Sequence, residues 1–462
     1  MTESRLPSPH VVTRVSLFCG LMLCLWTNAA YAETGDAFYL SNDAALMAGS
    51  VTSSVRDIGA IWYNPAGLGG SVKNQLSLSG MVYGIRFRNV PAALRTTLPG
   101  GARSVSLESS DIFSAPHVTA YARPVSDDVA VGFGIYVTER DTRTSSSTDS
   151  HSVARGTAGL PYDANVRQHL DASLDHAKYQ LGPAFGWRMT PTFRFGASVF
   201  ATYAKSTSVS GYEVDIGRAG SAPGEGQFVL SQVRATVTEV GVVANVGIQW
   251  DVAPSWQLGL TLRTPELRVH QSASGDTISA SGNATPGEAP SAALDLSPVG
   301  SVGSAGVRAP LRLVVGATHI FGSGLMLSAE GDIQPAVRST STNTSTRTVV
   351  NARMGMRIPI GSRLLFGAGA FTDRDQRTLG ESFTSEQVNR YGLTAGGTLL
   401  TPFSIVDGSR LVLATTFALR YSAGFADVRT LDLDVVSGGA QTRIASVTYH
   451  EVLPYIGSSV SF

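Results

Sequence analysis

The chain has 462 residues, 35 basic and 35 acidic side chains, and only 15% charged residues in total, where a soluble globular domain carries about 25%. It holds 49 glycines, an excess, and its 43% hydrophobic fraction is far too low for a polytopic helical membrane protein. A net charge of zero argues against nucleic acid as a partner, since such binders show a basic excess, and the roughly three soluble domains that the length suggests fit badly with so little charge.

Residues 1–32 read as a secretory signal peptide that is cleaved. Arg5 and Arg14 supply the basic start, Val15 to Trp26 the apolar stretch, and Ala30-Tyr31-Ala32 the cleavage site. The apolar stretch is shorter than the about 20 residues of a membrane-spanning helix. Neither Cys19, after Phe18, nor Cys24, after Leu23, follows the small residue that a lipoprotein signal needs. Both cysteines of the chain lie here, so the mature chain from Glu33 is expected to have no disulfide and no thiolate metal site. No later apolar run of 18 or more residues predicts a transmembrane helix. An exported chain of this kind is periplasmic, secreted, or an outer-membrane β-barrel.

Residues 33–71 show no alternation. Beyond them a period of two takes over. Val129, Val131, Phe133, Ile135 and Val137 fall on one face, and Ala130, Gly132, Gly134, Tyr136 and Thr138 on the other. The same pattern sets Phe193, Phe195 and Val199 against Arg194, Gly196 and Ser198, and Met354 and Met356 against Arg353, Gly355 and Arg357. A soluble sandwich also alternates, but its outer face carries Lys, Glu and Thr. Here that face holds Gly, Ala, Ser, Asn, Gln and Arg, which suits a barrel lumen. Fourteen strands are predicted, at about 73–88, 113–124, 129–139, 177–189, 192–204, 227–251, 256–264, 309–321, 325–335, 347–358, 363–372, 388–401, 410–422 and 445–462. Short turns, such as Thr190–Thr192 and Gly322–Gly324, alternate with long Ser/Thr/Gly-rich loops at 89–112, 139–176, 205–226, 265–308, 336–346, 373–387 and 423–444. Outer-membrane barrels alternate in this way, with short periplasmic turns and long outer loops. Trp187, Trp250, Trp256 and Phe321 stand beside short turns, where an interfacial girdle belongs.

Little chemistry is on offer. His117, His151, His169, His176, His270, His319 and His450 of the mature chain show no metal-ligand spacing, and no GxSxG elbow or Walker loop occurs. The expectation is a protein that is not an enzyme and has no cofactor and no metal. Arg312, Glu330, Asp332, Arg353 and Arg357 fall on the lumen phase and are candidates for a charged interior network. They either pair with one another or leave one cation free for a carboxylate ligand.

The last eight residues run Tyr455-Ile456-Gly457-Ser458-Ser459-Val460-Ser461-Phe462. They resemble the C-terminal signature of outer-membrane barrels, with Tyr455, Gly457, Val460 and Phe462 at its marked places, and the resemblance implies recognition by the barrel-assembly machinery. The plainer reading is an ordinary strand that happens to end on Phe. Upstream, Trp62-Tyr63-Asn64-Pro65-Ala66-Gly67-Leu68 is similar to the N-terminal region of the long-chain fatty-acid outer-membrane transporter family (FadL/TodX type), which carries Asn-Pro-Ala just before its first strand. That resemblance implies an all-β fold, a 14-stranded antiparallel transmembrane β-barrel with an N-terminal hatch in the lumen. Residues 1–32 would then be the signal peptide, 33–71 the hatch or plug and 72–462 the barrel.

The family also implies an inward kink in the third strand, for which Gly132 and Gly134 are candidates. Otherwise they are simply small lumen residues. Asn64, Pro65 and Ala66 anchor the hatch on this reading and merely end a loop on the other. Phe38 would be a pocket-filling aromatic. The implied function is passive uptake of hydrophobic compounds, long-chain fatty acids or hydrocarbons, by a monomer in outer-membrane lipid. A structural or adhesion barrel without transport, and a general porin, are the alternatives.

Overall fold

The computed structural model describes residues 38–70, 73–79, 82–98, 101–115, 118–154, 163–218, 226–284, 291–303, 306–339, 344–380, 385–404, 410–434 and 439–462. The predicted signal peptide, with both cysteines, lies outside them. Two short helices come first, α1 (Asn42–Leu46) and α2 (Ala60–Tyr63), then a 3-10 helix at Pro65–Gly70. The strands of the first half are β1 (Gln75–Ser79), β2 (Val82–Leu98), β3 (Gly101–Ala115), β4 (Val118–Pro124), β5 (Val129–Val153), β6 (Ala164–Arg188), β7 (Phe193–Arg218), β8 (Gly226–Ala253), β9 (Trp256–Arg263) and β10 (Glu266–Ala284). Those of the second half are β11 (Ser291–Gly303), β12 (Gly306–Ala309), β13 (Arg312–Ile320), β14 (Met326–Gln334), β15 (Arg338–Ser339), β16 (Thr344–Ser345), β17 (Val349–Ile360), β18 (Leu364–Asp373), β19 (Glu386–Ser404), β20 (Arg410–Asp434) and β21 (Gly439–Ser461).

Among the described residues, all but β15 and β16 join one sheet. Antiparallel ladders lead from β4 through β5, β6, β7, β8, β9, β13, β14, β17, β18, β19 and β20 to β21. β1 then pairs with both β21 and β4, and the ring closes. Beside this seam Asn74 and Phe462 exchange two backbone hydrogen bonds of 3.0 Å. Closure removes the open edges that a sheet otherwise presents.

The burial of the strands inverts that of a soluble sheet. Phe417 and Leu419 are 59% and 50% exposed while Thr416 and Arg420, which flank them, are buried. Met354 and Met356 point out while Arg353 and Asn351 are buried. Apolar side chains that face outwards need an apolar solvent, which is what a lipid bilayer supplies. Trp187, Trp250, Trp256 and Phe321 all lie on this exposed outer face.

Two expectations change. First, most of the predicted long loops are strands: β5 and β6 pair as far as Val153 and Ala164, β7 and β8 as far as Gly217 and Gly226, and β20 and β21 as far as Asp434 and Gly439. β2 with β3 and β10 with β11 fill the predicted loops 89–112 and 265–308 in the same way. Away from lipid a strand needs no apolar face, so the period fades. The Ser/Thr-rich backbone still satisfies its N–H and C=O groups by pairing. Second, prolines mark where wall strands give way to their extensions, at the end of the predicted strand 256–264 and near the start of 309–321. Thr264-Pro265 separates β9 from β10 and Pro310-Leu311 separates β12 from β13, since proline brings no N–H to a ladder.

Among the described residues the lumen holds two large apolar cores and a small cluster round Phe38. The outer one is built by the wall itself. The β2–β3 hairpin shifts register between Val90 and Leu94, where Ala92 takes φ 48°. Its tip then runs parallel to β20, Leu94–Thr97 against Leu431–Asp434. Val90, Leu94, Val105 and Leu107 of the hairpin are buried with Leu170, Tyr212, Val428 and Leu433 of the long strands. The inner core is the segment 38–70. Leu40, Leu46, Met47, Val51, Ile58, Ile61, Trp62 and Leu68 are all buried. α1 touches β17 to β21 and the 3-10 helix touches β5 to β8, so the segment meets the wall on all sides and lies within the ring.

Candidate functional site

The lumen is the candidate site, and its construction begins with the backbone of segment 38–70. A short segment with little regular structure leaves many N–H and C=O groups to be satisfied elsewhere. Ser41 caps α1 by accepting from Ala44 N at 3.2 Å. The rest is supplied by the wall. Glu330 accepts from Val51 N and Thr52 N at 3.2 and 3.0 Å. Gln249 donates to Thr52 O and Val55 O, Asn245 to Trp62 O and Thr261 to Tyr63 O, all at 3.0 to 3.2 Å. This explains why the inward face carries Asn, Gln and Thr rather than aliphatic residues.

Asn64 is fully buried. Its amide nitrogen donates to Thr52 O at 2.8 Å and to Ile248 O of β8 at 3.0 Å, and its Oδ1 accepts from Ala66 N at 3.2 Å. One side chain thus joins two stretches of the segment to the wall. Pro65 and Ala66 lie against Gly196, where a Cβ would collide with the Pro65 carbonyl and the Ala66 nitrogen. Gly247 leaves the corresponding room for the Asn64 side chain. The glycine excess has a use here: it lets two backbones meet.

The structure brings the five predicted lumen charges to one quarter of the ring. Arg312 pairs with Asp332 at 3.0 Å, and Arg353 bridges Glu330 and Asp332 at 3.0 and 3.1 Å. Arg357 stands apart from these and pairs with Asp43 of α1. Gly132 lies against Ile61 and Gly134 beside the Tyr136 ring, and both ladders pass them without a register shift. The irregularity in β5 falls at Val137/Glu139 instead. Phe38 packs with Ala45, Leu453 and Tyr455. At the C-terminus the Tyr455 hydroxyl donates to Asn42 at 3.0 Å, Gly457 leaves room beside that pair, Val460 pairs with Leu413 and Leu76, and Phe462 is exposed.

Several groups escaped the sequence reading. A belt of ion pairs separates the two cores. On one side Lys178 joins Glu139 and Glu266 at 3.0 and 2.7 Å, and Arg308 reaches Glu239 at 3.2 Å. On the other, Arg86 joins Asp141 and Glu451 at 2.6 Å each, and Arg143 joins Asp141 and Glu386. All these side chains are buried or nearly so, so each charge depends on its partners. The lumen phase was a signal for Lys178 and Gln180, which continue it in β6, but not for Glu139, Asp141 and Arg143, which lie on the outward phase of β5 and reach the lumen through the register shift at Val137/Glu139. Below the belt, Trp62 packs on Tyr136 and Phe200 with centroids 5.4 and 5.6 Å apart, and the Arg263 guanidinium lies 4.2 Å over its ring.

The wall has a seam beside β5. The β4–β5 ladder ends at Val118↔Tyr136, and among the described residues no ladder joins β3 to β5. β3 still runs beside β5, and a side-chain bond joins them, Thr144 N to Asp111 Oδ1 at 3.1 Å. Ile112, 74% exposed, stands on the lip of the seam.

In chemical terms the arrangement can hold apolar matter beside fixed charges. Among the described residues no group of three or more His, Cys, Asp and Glu could hold a metal ion. No family model matches the chain, and no curated protein does. Solved structures do. A FadL homologue from Pseudomonas aeruginosa aligns with TM-score 0.55 at 14% identity, over 91% of this chain and 97% of that one. The P. putida toluene transporter TodX aligns with TM-score 0.53 at 12% identity, over 91% and 97%. CymD, a monoaromatic hydrocarbon channel, gives 0.52 at 12%, over 92% and 99%. At such identities the likeness is one of fold, and the chain has a FadL/TodX-type fold.

Proposed function

We propose that the chain is an outer-membrane channel for hydrophobic compounds, long-chain fatty acids or hydrocarbons, exported by its cleaved signal peptide. The observation that carries this reading is a lipid-facing ring filled by its own N-terminal segment, in the fold of a toluene transporter and a monoaromatic hydrocarbon channel. We read the ladders among the described residues as a ring of fourteen staves. Segment 38–70 acts as the hatch, anchored by Asn64, Pro65 and Ala66, and Tyr455, Gly457, Val460 and Phe462 address the chain to the barrel-assembly machinery as a monomer. A solute enters from outside beneath the β2–β3 hairpin. The belt of buried ion pairs is costly for an apolar molecule to cross, because passage would strip charges of their partners. The seam between β3 and β5 offers a sideways exit before the segment is reached.

The packed segment counts against a general porin, whose lumen is a water channel. The test is uptake of radiolabelled toluene and hexadecanoate by cells that lack such channels, with and without this protein. Faster uptake of either supports the proposal. No gain with either, or a steady large ion conductance in planar bilayers, overturns it.

A further inference from the structure

On β5 to β8 the apolar outer face of the wall stops at a definite level. The ladders set Val137, Tyr179, Tyr203 and Val240 in one row across these strands. Tyr179, Tyr203 and Val240 are exposed, and the two tyrosine rings lie 6.2 Å apart. Tyrosine collects where hydrocarbon gives way to head groups. The next outward row is Arg140, Ala177, Lys205 and Thr238, and the one beyond it Thr142, Asp175, Thr207 and Thr236. The register shift at Val137/Glu139 is what turns Arg140 to this face, since its place in the sequence falls on the lumen phase. β5 to β8 run on past this level in their long extensions, which puts it at the outer leaflet, on the side of the long loops. Two cations thus flank the small Ala177 at head-group height. Arg140 pairs with Asp175 at 2.7 Å. Lys205 is exposed and has no ion-pair partner among the described residues. The two polar rows hold two cations and one acid, so one positive charge is left at the boundary. The matching row on β19 to β21, Gln387, Asp427 and Ser446 beyond the exposed Phe425, carries no cation. The excess is confined to one sector of the ring.

We propose that Arg140 and Lys205, on either side of Ala177, bind the phosphate of an anionic lipid in the outer leaflet of the outer membrane. The phosphate oxygens accept from the guanidinium and the ammonium, in charge-assisted hydrogen bonds. The acyl chains run down the apolar face over the next row, where Ile135, Leu181 and Val242 are exposed. Basic side chains at a membrane surface select anionic lipids in this way. The site lies on the outside of the wall, so it does not depend on what the lumen carries.

The test compares diphosphoryl lipid A with the same lipid stripped of its phosphates, binding to the full chain purified in a non-ionic detergent and read by native mass spectrometry. The wild type should retain the phosphorylated lipid about tenfold better. Lys205→Gln and Arg140→Gln should each lower that ratio, the double substitution should bring it close to one, and Lys205→Arg should keep it. Folding of each variant is checked by its resistance to unfolding in unheated dodecyl sulfate. An excess of inorganic phosphate should displace little of the lipid, because it lacks the chains that hold the head group in place. A ratio near one in the wild type, or an unchanged ratio in the folded double variant, overturns the site. Complete displacement by inorganic phosphate overturns the lipid as its occupant and leaves a plain anion site. None of these outcomes bears on the channel reading.

Discussion

The inner core round Trp62 and the outer core round Leu94 fill the same lumen by different means. The outer core is made of the wall's own strands: its hairpin is tied to β20 by four parallel pairs and sits on aliphatic neighbours. The inner core is a separate length of chain. It reaches the wall through directed polar contacts, Glu330 to Val51 and Thr52, Arg357 to Asp43, and Asn64 to Ile248. Aliphatic packing is undirected and tolerates sliding, whereas hydrogen bonds and ion pairs hold one position and are lost together when one charge is removed. On the proposed reading of the segment as a hatch, the second way of building gives it a single seat.

The largest expected effect comes from breaking the inner fastening. Arg353→Ala leaves Glu330 and Asp332 buried with one partner fewer, at a cost of about 3–5 kcal/mol. Amide exchange in residues 38–70 should quicken while that of the outer hairpin stays slow. Equal exchange in both regions would show that the two cores open as one. Next is Leu94→Ala, a large-to-small change at a fully buried site, worth about 2–4 kcal/mol. Its effect should appear as faster proteolysis in the β2–β3 hairpin and leave the segment protected.

The smallest effect is a dependence on pH. Burial, and then the nearby Asp43 charge, raise the Asp57 carboxyl to about 7. A group raised in the folded state contributes its stability at low pH and loses it as pH rises through the folded value. Protection of the segment, taken relative to the intrinsic base-catalysed exchange rate at each pH, should therefore be greater at pH 6 than at pH 8. Asp57→Asn should flatten that difference, and a variant that retains the full difference would assign it to another group.

Much of this contrast was legible in the sequence. The loss of alternation before residue 72 marked off a segment unlike the strands. The charges on β13, β14 and β17 could be grouped because the period placed them on one face of strands that follow one another in the chain. Arg86 and Glu451 could not be grouped, since their contact joins the first long strand to the last. Glu139 and Glu266 were hidden because the register shift at Val137/Glu139 and the break at Thr264-Pro265 put them on the sequence phase opposite to the lumen residues before them. The partners of Asn64 are backbone carbonyls, which leave no mark on residue identity. Its small neighbours Gly196 and Gly247 did leave one, as glycines on the lumen phase.

The closure of the ring has a kinetic consequence. β1 and β21 come from opposite ends of the chain, so the pairing that completes the wall has the greatest sequence separation of any in the sheet. Closing so long a loop is entropically expensive and slow, while the hairpins between can form locally and early. Until Asn74 and Phe462 meet, β1 and β21 are two free edges with their backbone groups unspent. Folding therefore ends where the chain begins and ends, and the segment just upstream of β1 must be seated before the ring shuts round it.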